Sequence, residues 1–319
     1  KINDNKHVKL FITINIIGVK NFKLDIGLYS MKVLFIGILL VCLNTFSGST
    51  FDTITKYLSI NDYKWYHYYS IGGTSAIIFF FIFLYFTSDI KKNIILKKKN
   101  YYILPLLRGI TFIPVLIIIF YSLNRVPINI FTMILQTSPF FLLIFAKFIL
   151  KEKLNIKSWV AIIIGFLGVL IVLRPSPTNI NIFIFLILFV SIYNAFNFTI
   201  VSKYSHMASS FGFTFYQYLP FTIFSCIFFI FDPIIPSYKE LILFSCSGLI
   251  VMISMWAWNA AFHIAGKFSS IISPFFFTQI VWGTLYGKIF FNEQFDLIAF
   301  LGIFIIVISG TIAISNRNK

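Results

Sequence analysis

Uncharged polar and aromatic side chains inside long apolar segments are the residues of this sequence best suited to bind a ligand. Amide and hydroxyl groups can supply hydrogen bonds that lipid cannot, indole rings stack on planar or cationic ligands, and a guanidinium fork matches a carboxylate or phosphate. The residues that we expect to contact a substrate are Gln136, Thr137, Gln279, Trp282, Trp256, Asn259 and Arg108.

The same side chains also suit a purely structural role. Interhelical hydrogen bonds hold membrane bundles together at about 1 kcal/mol each, and an indole ring often serves simple packing. Gln136 and Gln279 lie close to prolines, which favours these two for substrate contact. Further polar residues within apolar segments are Asn44, Thr45, Asn194, Asn197, Gln217 and Thr278.

Charged residues within the apolar segments are few, and they allow more than one interpretation. Arg108 has apolar neighbours, so it either pairs with an anionic group of a substrate or extends to the lipid headgroups, and neither is favoured. Asp52 and Asp232 are expected at the ends of their segments. This placement disfavours proton antiport through a central carboxylate, whereas facilitated diffusion, exchange or coupling by another route stays open.

Two prolines and two glutamates occupy similar places in the two halves of the chain. Pro139 and Pro274 each remove a backbone hydrogen bond within an apolar segment. We expect bends there that shape a cavity and act as hinges, although prolines are also tolerated as simple kinks in membrane helices. Glu152 and Glu293 are expected at helix ends, and the lysines beside Glu152 favour a salt-bridged cap at the membrane surface.

The elements that must position these residues are transmembrane helices. Charged residues make up only 11% of the 319 residues and hydrophobic residues 59%, whereas soluble proteins carry about 25% charged residues. Apolar runs of about 20 residues, the length of a membrane-spanning helix, recur along the chain. They predict an all-α polytopic membrane protein with ten spans, near 33–53, 66–87, 103–123, 127–150, 158–173, 180–201, 211–231, 241–262, 268–291 and 297–315.

The distribution of charge, cysteine and histidine argues against several other classes of protein. The formal net charge is +16, but lysines cluster between spans and no nucleic-acid motif accompanies them, so nucleic-acid binding is not expected. No histidine or cysteine has a partner at metal-ligand spacing, and no catalytic motif is present, so no metal, cofactor or catalytic residue is predicted. Most of the 26 lysines and arginines fall on one side of the predicted spans, which places both termini in the cytoplasm.

The chain divides into an N-terminal extension and two five-span units. Residues 1–30 contain only a short apolar stretch, and we interpret them as lying upstream of a start at Met31 or as an interfacial cytoplasmic arm. The two units are residues 31–175 and 176–319. An odd number of crossings places the second unit upside down relative to the first, which is the arrangement of inverted-repeat carriers.

An internal repeat supports this division and carries a family resemblance. Ser138-Pro139-Phe140-Phe141 recurs as Ser273-Pro274-Phe275-Phe276, each followed by a glutamate and a glycine-containing span. With these and the segments 107–109, 165–169, 173–175 and 278–282, the chain resembles the ten-span EamA type of the drug/metabolite transporter superfamily. The resemblance covers residues 32–315. It implies a ten-helix bundle whose central cavity is lined mainly by spans three, four, eight and nine.

The resemblance implies a secondary carrier of the inner membrane that moves a small organic metabolite by alternating access. The long spacing between Pro274 and Glu293 is similar to that of the branch that includes riboflavin and S-adenosylmethionine carriers. The expected substrates are therefore S-adenosylmethionine, riboflavin or amino-acid-like compounds. The expected partners are this substrate and membrane lipids, with a homodimer left open. The alternative to a carrier is a non-transport membrane protein, such as a lipid-handling integral membrane enzyme.

Overall fold

The computed structural model of the protein describes residues 26–61, 63–87, 90–126, 128–152, 155–173 and 182–291, with positions 301–302, 304–305, 308–309 and 312. Its regular secondary structure within these ranges is helical, with no strand. Six helical segments of the described part are long and apolar enough to cross a membrane. The predicted all-α membrane protein is therefore confirmed, whereas most of the tenth predicted span and residues 1–25 lie outside the described residues.

Long helices form the first half of the chain. They are α1 Ile26–Ile60, α2 Trp65–Thr87, α4 Ile103–Arg125 and α7 Ile156–Leu173. The short helix α3 Ile90–Ile94 and a 3₁₀ turn, Lys99–Tyr102, connect α2 to α4. The predicted span 127–150 is not one helix, because it consists of α5 Ile128–Leu135, α6 Ser138–Phe145 and a π-helical turn, Ala146–Leu150.

The second half repeats this contrast between long helices and one broken span. Its long helices are α8 Ile182–Lys203, α9 Ser210–Phe231 and α10 Tyr238–Ala265. The predicted span 268–291 begins in short pieces and becomes regular only in its final helix. These pieces are the 3₁₀ turn Gly266–Phe268, α11 Ser269–Ile272, the 3₁₀ turn Ser273–Phe277 and α12 Thr278–Phe291.

Close helix approach in the core depends on paired glycines. α2 and α10 pack against each other, and a Cβ added at Gly248 would overlap the carbonyl of Gly72. Small residues allow this approach in membranes, where dispersion and hydrogen bonding drive helix association instead of the hydrophobic effect. α1 also packs along α10 and α12, so the two halves of the chain interlock through α1, α2, α10 and α12.

A polar contact at the exposed end of α9 holds the turn between α1 and α2. Lys64 Nζ lies 2.7 Å from Asp232 Oδ2, and the Tyr66 hydroxyl donates to the same oxygen at 2.6 Å. The hydrogen bond from Lys64, aided by that from Tyr66, lowers the pKa of Asp232 to about 2, and the same contact raises the pKa of Lys64. Because the pair is exposed to solvent, its main effect is to orient the turn, with little gain in stability.

We predict that Gly248→Ala destabilises the protein, because the new methyl group meets the Gly72 carbonyl and overpacking costs about 1–3 kcal/mol. The thermal unfolding midpoint of the purified protein in detergent should fall. Gly283→Ala is the matched control, since its Cβ would lie at an ordinary 3.5 Å from Thr132 Oγ1. Equal midpoints for the two variants would contradict the close approach of α2 and α10.

Candidate substrate-binding site

Three buried polar side chains form a continuous chain between the two halves of the protein. Gln136 Nε2 donates to the Phe276 carbonyl at 2.6 Å and to Gln279 Oε1 at 3.1 Å. Gln279 Nε2 in turn donates to Asp52 Oδ2 at 3.1 Å. The side chains of Gln136, Gln279 and Asp52 are at most 9% exposed, and we refer to them as the amide–carboxylate chain. The structure thus brings together the two glutamines that the sequence analysis favoured.

Breaks in two helical spans position these glutamines. Gln136 directly follows α5, and the Thr137 N–H donates to the Ile134 carbonyl in a tighter turn before α6 begins. Gln279 lies in the first turn of α12, directly after the 3₁₀ turn Ser273–Phe277. Each glutamine thus lies where its span changes direction, and there the two side chains point at each other. In a continuous helix, the direction of a side chain is set by its position along the helix.

The two prolines begin helical segments, which differs from the expected bends within continuous helices. Pro139 lies in the first turn of α6, and Pro274 lies in the first turn of the following 3₁₀ segment. A proline is favourable there because the N–H that it lacks would have no helical partner in a first turn. The hinge role of both prolines stays a prediction.

Paired hydroxyl groups flank the amide–carboxylate chain. The hydroxyl oxygens of Thr45 and Thr278 lie 2.7 Å apart, and those of Thr137 and Ser191 lie 2.8 Å apart. Ser49 Oγ donates to the Gln279 backbone carbonyl at 3.1 Å. Thr137, which the sequence analysis expected at the substrate, therefore takes part in a contact between α8 and the broken span.

The position of Asp52 corrects the sequence-based expectation. Asp52 was expected at the end of the predicted span 33–53, but α1 continues to Ile60 and the Asp52 side chain is only 7% exposed. At 1.5 Å per residue, the carboxylate lies about 12 Å before the end of the helix. An acidic residue therefore does occur inside the bundle, and the expected position of Asp52 at a helix end is wrong.

A second buried polar group surrounds Arg108 of α4. Its Nε donates to Asn197 Oδ1 of α8 at 2.9 Å. Its Nη2 donates to Gln217 Oε1 of α9 and to Asn259 Oδ1 of α10, both at 3.2 Å. Asn259 Nδ2 donates onward to Thr214 Oγ1 at 3.1 Å. We call Arg108, Asn197, Gln217 and Asn259 the guanidinium cluster.

The guanidinium cluster excludes one of the two interpretations of Arg108. The arginine is 4% exposed, and its guanidinium lies 5.4 Å from the centre of the Phe213 ring. A side chain that extended to the lipid headgroups would be exposed at the helix end, so that alternative is wrong. Arg108 Nη1 and Gln217 Nε2 are buried and have no hydrogen-bond partner in the described part of the chain.

Stacked aromatic rings come from segments that also carry the two polar groups. Phe198 packs edge-on against Trp258 at 4.3 Å and stacks on Phe262 and Phe276 at 4.7 and 4.8 Å. Trp258 also packs edge-on, at 6.2 Å, against Phe112, which lies one turn after Arg108 on α4. Phe276 supplies the carbonyl that accepts from Gln136. We refer to Phe198, Trp258, Phe262 and Phe276 as the aromatic cluster.

The two tryptophans named from the sequence have different surroundings. Trp282 lies one helical turn after Gln279 on α12 and packs edge-on against Phe46 at 5.0 Å, so it is close to the amide–carboxylate chain. Trp256 stacks on Phe211 at 5.5 Å, and no described contact joins its ring to either polar group. Trp258 is the tryptophan that belongs to the aromatic cluster.

Glu152 links the end of one broken span to the start of the other. Lys151 adopts a left-handed conformation with φ of 56°, which turns the chain so that Glu152 Oε1 accepts from the Ser269 N–H at 3.2 Å and from its hydroxyl. Burial raises the pKa of the Glu152 carboxyl, and hydrogen bonds from Ser269 and Ser270 oppose this rise. The described carboxylate contacts are thus hydrogen bonds to serine, where a salt bridge to lysine was expected. Glu293 lies outside the described residues.

Some of these residues were visible in the sequence, and others were not. Asn197 and Gln217 belonged to the wider set of polar residues in apolar segments, and Trp258 lies on a helix predicted to line the cavity, where its ring could stack on a ligand. Asp52 was expected at a helix end, and Phe198 was not singled out. The available signal for Asp52 was the absence of a helix breaker between Thr53 and Ile60. The described residues contain no group of three His, Cys, Asp or Glu side chains placed to hold a metal ion.

Comparison with known proteins identifies related transporters. The model of the EamA-like transporter family matches residues 35–174 and 181–315. An uncharacterized transporter of Helicobacter pylori is 27% identical over 60% of this chain and 66% of its own length. A riboflavin transporter of Vibrio cholerae is 28% identical over 55% and 59%. An S-adenosylmethionine uptake transporter of Rickettsia prowazekii is 26% identical over 62% and 67%.

These alignments cover only part of the relatives. The chain matches just under two thirds of the Helicobacter pylori transporter's length. A solved crystal structure aligns with 91% of this chain and 99% of its own chain, with a TM-score of 0.64 and 13% sequence identity. At that identity the likeness concerns the fold alone.

We predict that Glu152→Ala lowers the thermal unfolding midpoint, because the buried Ser269 N–H and hydroxyl lose their acceptor. The free energy of unfolding should fall by about 1–2 kcal/mol. Glu152→Gln keeps an oxygen in the same position and should lose less. The measurement is thermal unfolding of both variants in detergent, and a larger loss for Glu152→Gln than for Glu152→Ala would contradict the capping contact.

Proposed function

Because the chain belongs to the EamA-like transporter family, we propose that it is a secondary carrier that moves a small organic metabolite across a membrane by alternating access. The apolar helices and the family together make it an integral membrane protein. The observation that carries the proposal is the direct contact between Gln136 and Gln279, since it joins polar side chains from the two family-matched halves in a buried position. Inverted-repeat carriers bind their substrates at such an interface.

The proposal includes ten transmembrane helices in two inverted units, residues 31–175 and 176–319. The hydroxyl contacts support this arrangement. Thr45 and Thr278 join predicted spans one and nine, and Thr137 and Ser191 join predicted spans four and six. With five spans in each half, span one corresponds to span six and span four corresponds to span nine. The contact between spans one and nine is therefore equivalent to the contact between spans six and four. A twofold axis in the membrane plane would impose this relation.

We place the substrate between the amide–carboxylate chain and the guanidinium cluster. The proposed contacts are Gln136, Thr137, Gln279, Trp282, Asn259 and Arg108, with the aromatic cluster packing on the substrate, whereas Trp256 is peripheral. The proposed substrates are S-adenosylmethionine, riboflavin or an amino-acid-like compound, which the names of two similar transporters support. Pro139 and Pro274 are the proposed hinges, because the helical segments already separate there.

The proposed cellular setting is the inner membrane with both termini in the cytoplasm, which the clustering of lysines on one side of the predicted spans supports. Transport is the proposed activity rather than catalysis, since the family and the named relatives are transporters.

Asp52 is the proposed coupling group. Its carboxylate lies inside the bundle and receives a hydrogen bond from Gln279, so proton binding there would act on the contact between the halves. Lys56 lies one helical turn further along α1. Ionisable residues within membrane helices commonly serve as proton relays.

We predict that the purified protein in liposomes takes up at least one of the three proposed substrate classes unchanged. Gln279→Ala should reduce this uptake roughly tenfold, because Asp52 and Gln136 both lose a hydrogen-bond partner and bonds to charged groups are strong. Trp282→Ala should also reduce uptake. Initial rates with radiolabelled compounds provide the measurement, and Asn61→Ala is the matched control because its amide bonds only within its own helix turn at an exposed site.

Two outcomes would contradict this proposal. If neither Gln279→Ala nor Trp282→Ala alters uptake of the best substrate, the proposed binding site is wrong although the carrier function stands. If a compound is chemically altered without solute flux, the carrier function is wrong and a lipid-handling membrane enzyme becomes the better explanation.

We predict that Asp52→Asn uncouples uptake from an imposed pH gradient while leaving exchange of internal for external substrate in place. The amide preserves the shape of the side chain but cannot bind and release a proton. Asp232→Asn is the matched control, because Asp232 is at the exposed end of α9. Gradient-driven uptake by Asp52→Asn at the unmodified rate would refute the coupling role.

A further inference from the structure

The guanidinium cluster indicates which class of metabolite the site accepts. We propose that Arg108 binds a carboxylate of the transported substrate, an inference that rests on the carrier function proposed above. The arginine is 4% exposed, and no carboxylate of the described residues forms a salt bridge with it. A buried charge without a counter-ion is unfavourable, so a substrate that supplies the missing anion gains binding energy from this site.

The unpaired hydrogen-bond donors of the guanidinium cluster indicate where that anion binds. Arg108 uses Nε and Nη2 to donate to amide oxygens of Asn197, Gln217 and Asn259. Among the described residues, the remaining nitrogen, Nη1, has no hydrogen-bond partner, and neither has Gln217 Nε2. A guanidinium carries five N–H groups and no acceptor, and an amide nitrogen is likewise only a donor. The groups left over in this cluster are therefore donors alone, which require an acceptor-rich ligand.

The charge balance favours a carboxylate over a phosphate. Arg108 is the cation of the cluster, and its three described partners are neutral amides. A carboxylate carries a single negative charge and offers two oxygens, so it neutralises one guanidinium. A phosphate monoester carries up to about two negative charges at neutral pH and would leave a net charge buried in a medium of low dielectric.

The cluster is held in a binding geometry before any ligand arrives. The three amides come from three different helices, α8, α9 and α10, and they fix the guanidinium plane through Nε and Nη2. The guanidinium carbon also lies over the Phe213 ring, 5.4 Å from its centre. A donor fork that is already oriented loses little conformational freedom when the carboxylate binds.

The aromatic cluster gives the remainder of the substrate a place beside the carboxylate. Trp258 directly precedes Asn259 in α10, and its indole Nε1 is also buried without a hydrogen-bond partner in the part of the chain that the structure describes. An aromatic or adenine-like group could pack against Phe198 and Trp258 and accept a hydrogen bond from this nitrogen. A metabolite with a carboxylate at one end and a planar group at the other therefore fits, whereas a planar compound without a carboxylate leaves Arg108 unpaired.

The experiment compares ligands that differ only in the carboxylate. Purified protein in detergent is mixed with S-adenosylmethionine or its decarboxylated form, and with phenylalanine or phenylalanine amide. Stabilisation against heat gives the affinity, and uptake into liposomes gives KM. We expect the carboxylate member of at least one pair to bind roughly ten times more tightly or better. This preference should disappear in Arg108→Gln and remain in the control Arg125→Gln, which alters an exposed arginine on the same helix.

The unliganded stability of Arg108→Gln separates binding from a structural role. Arg108→Gln removes an uncompensated buried charge, which favours stability, and it also removes donors to buried amide oxygens, which opposes it. We therefore expect an unfolding midpoint close to that of the unmodified protein. Arg108→Lys retains the charge without the fork and should show intermediate affinity. A lowered midpoint, with both members of each ligand pair weakened equally, would show that Arg108 only holds the helices together and would overturn the inference.

The outcomes for the inference and for the carrier function are distinct. Uptake of riboflavin alone, with Arg108→Gln at the unmodified KM, would leave the carrier function intact and overturn the carboxylate site. Stronger binding of inorganic phosphate than of either carboxylate probe would also overturn it. Carboxylate-dependent stabilisation without uptake of any probe would support the site and contradict transport. Absence of any carboxylate preference in the unmodified protein would refute the inference directly.

Discussion

Polar groups inside the membrane must find their partners within the protein, because lipid offers no hydrogen bonds. This constraint explains two of the polar clusters inside the bundle. In one, Gln136, Gln279 and Asp52 satisfy one another across the two halves. In the other, three amides hold Arg108, while Nη1 and Gln217 Nε2 find no hydrogen-bond partner within the described ranges. A cluster whose side chains bond to one another suits a contact between the two halves. A cluster that keeps unpaired donors suits the binding of a ligand.

Breaks in two helical spans allow polar side chains of the two halves to come into contact. Helix breaks before Ser138 and around the 3₁₀ turn Ser273–Phe277 place the two glutamines opposite each other. Close glycine packing between Gly72 and Gly248 supplies the rigid part of the bundle. The combination of a tightly packed frame with two interrupted spans suits a protein that rocks about its centre, since the breaks concentrate any movement there.

The candidate site was only partly predictable from the sequence. Gln136 and Gln279 could be chosen because an amide near a proline in an apolar run needs a partner, and these two do bond to each other. Arg108 was ambiguous, because an arginine near a helix start can point inward or toward the lipid headgroups, and rotamer choice depends on neighbouring helices. Asp52 was misplaced because the apolar pattern weakens after Phe51, although the helix continues to Ile60 by packing its polar residues inward.

Composition and the length of the apolar runs by themselves determined the environment and the helical class. The repeated Ser-Pro-Phe-Phe segments carried the family resemblance, and they too are local properties of the chain. Only the tertiary structure decided which polar groups meet. The partners of Arg108 lie 89, 109 and 151 residues away along the chain, and no local pattern encodes contacts of that range. Their geometry arises when α4, α8, α9 and α10 pack together, which also determines which donors remain unpaired.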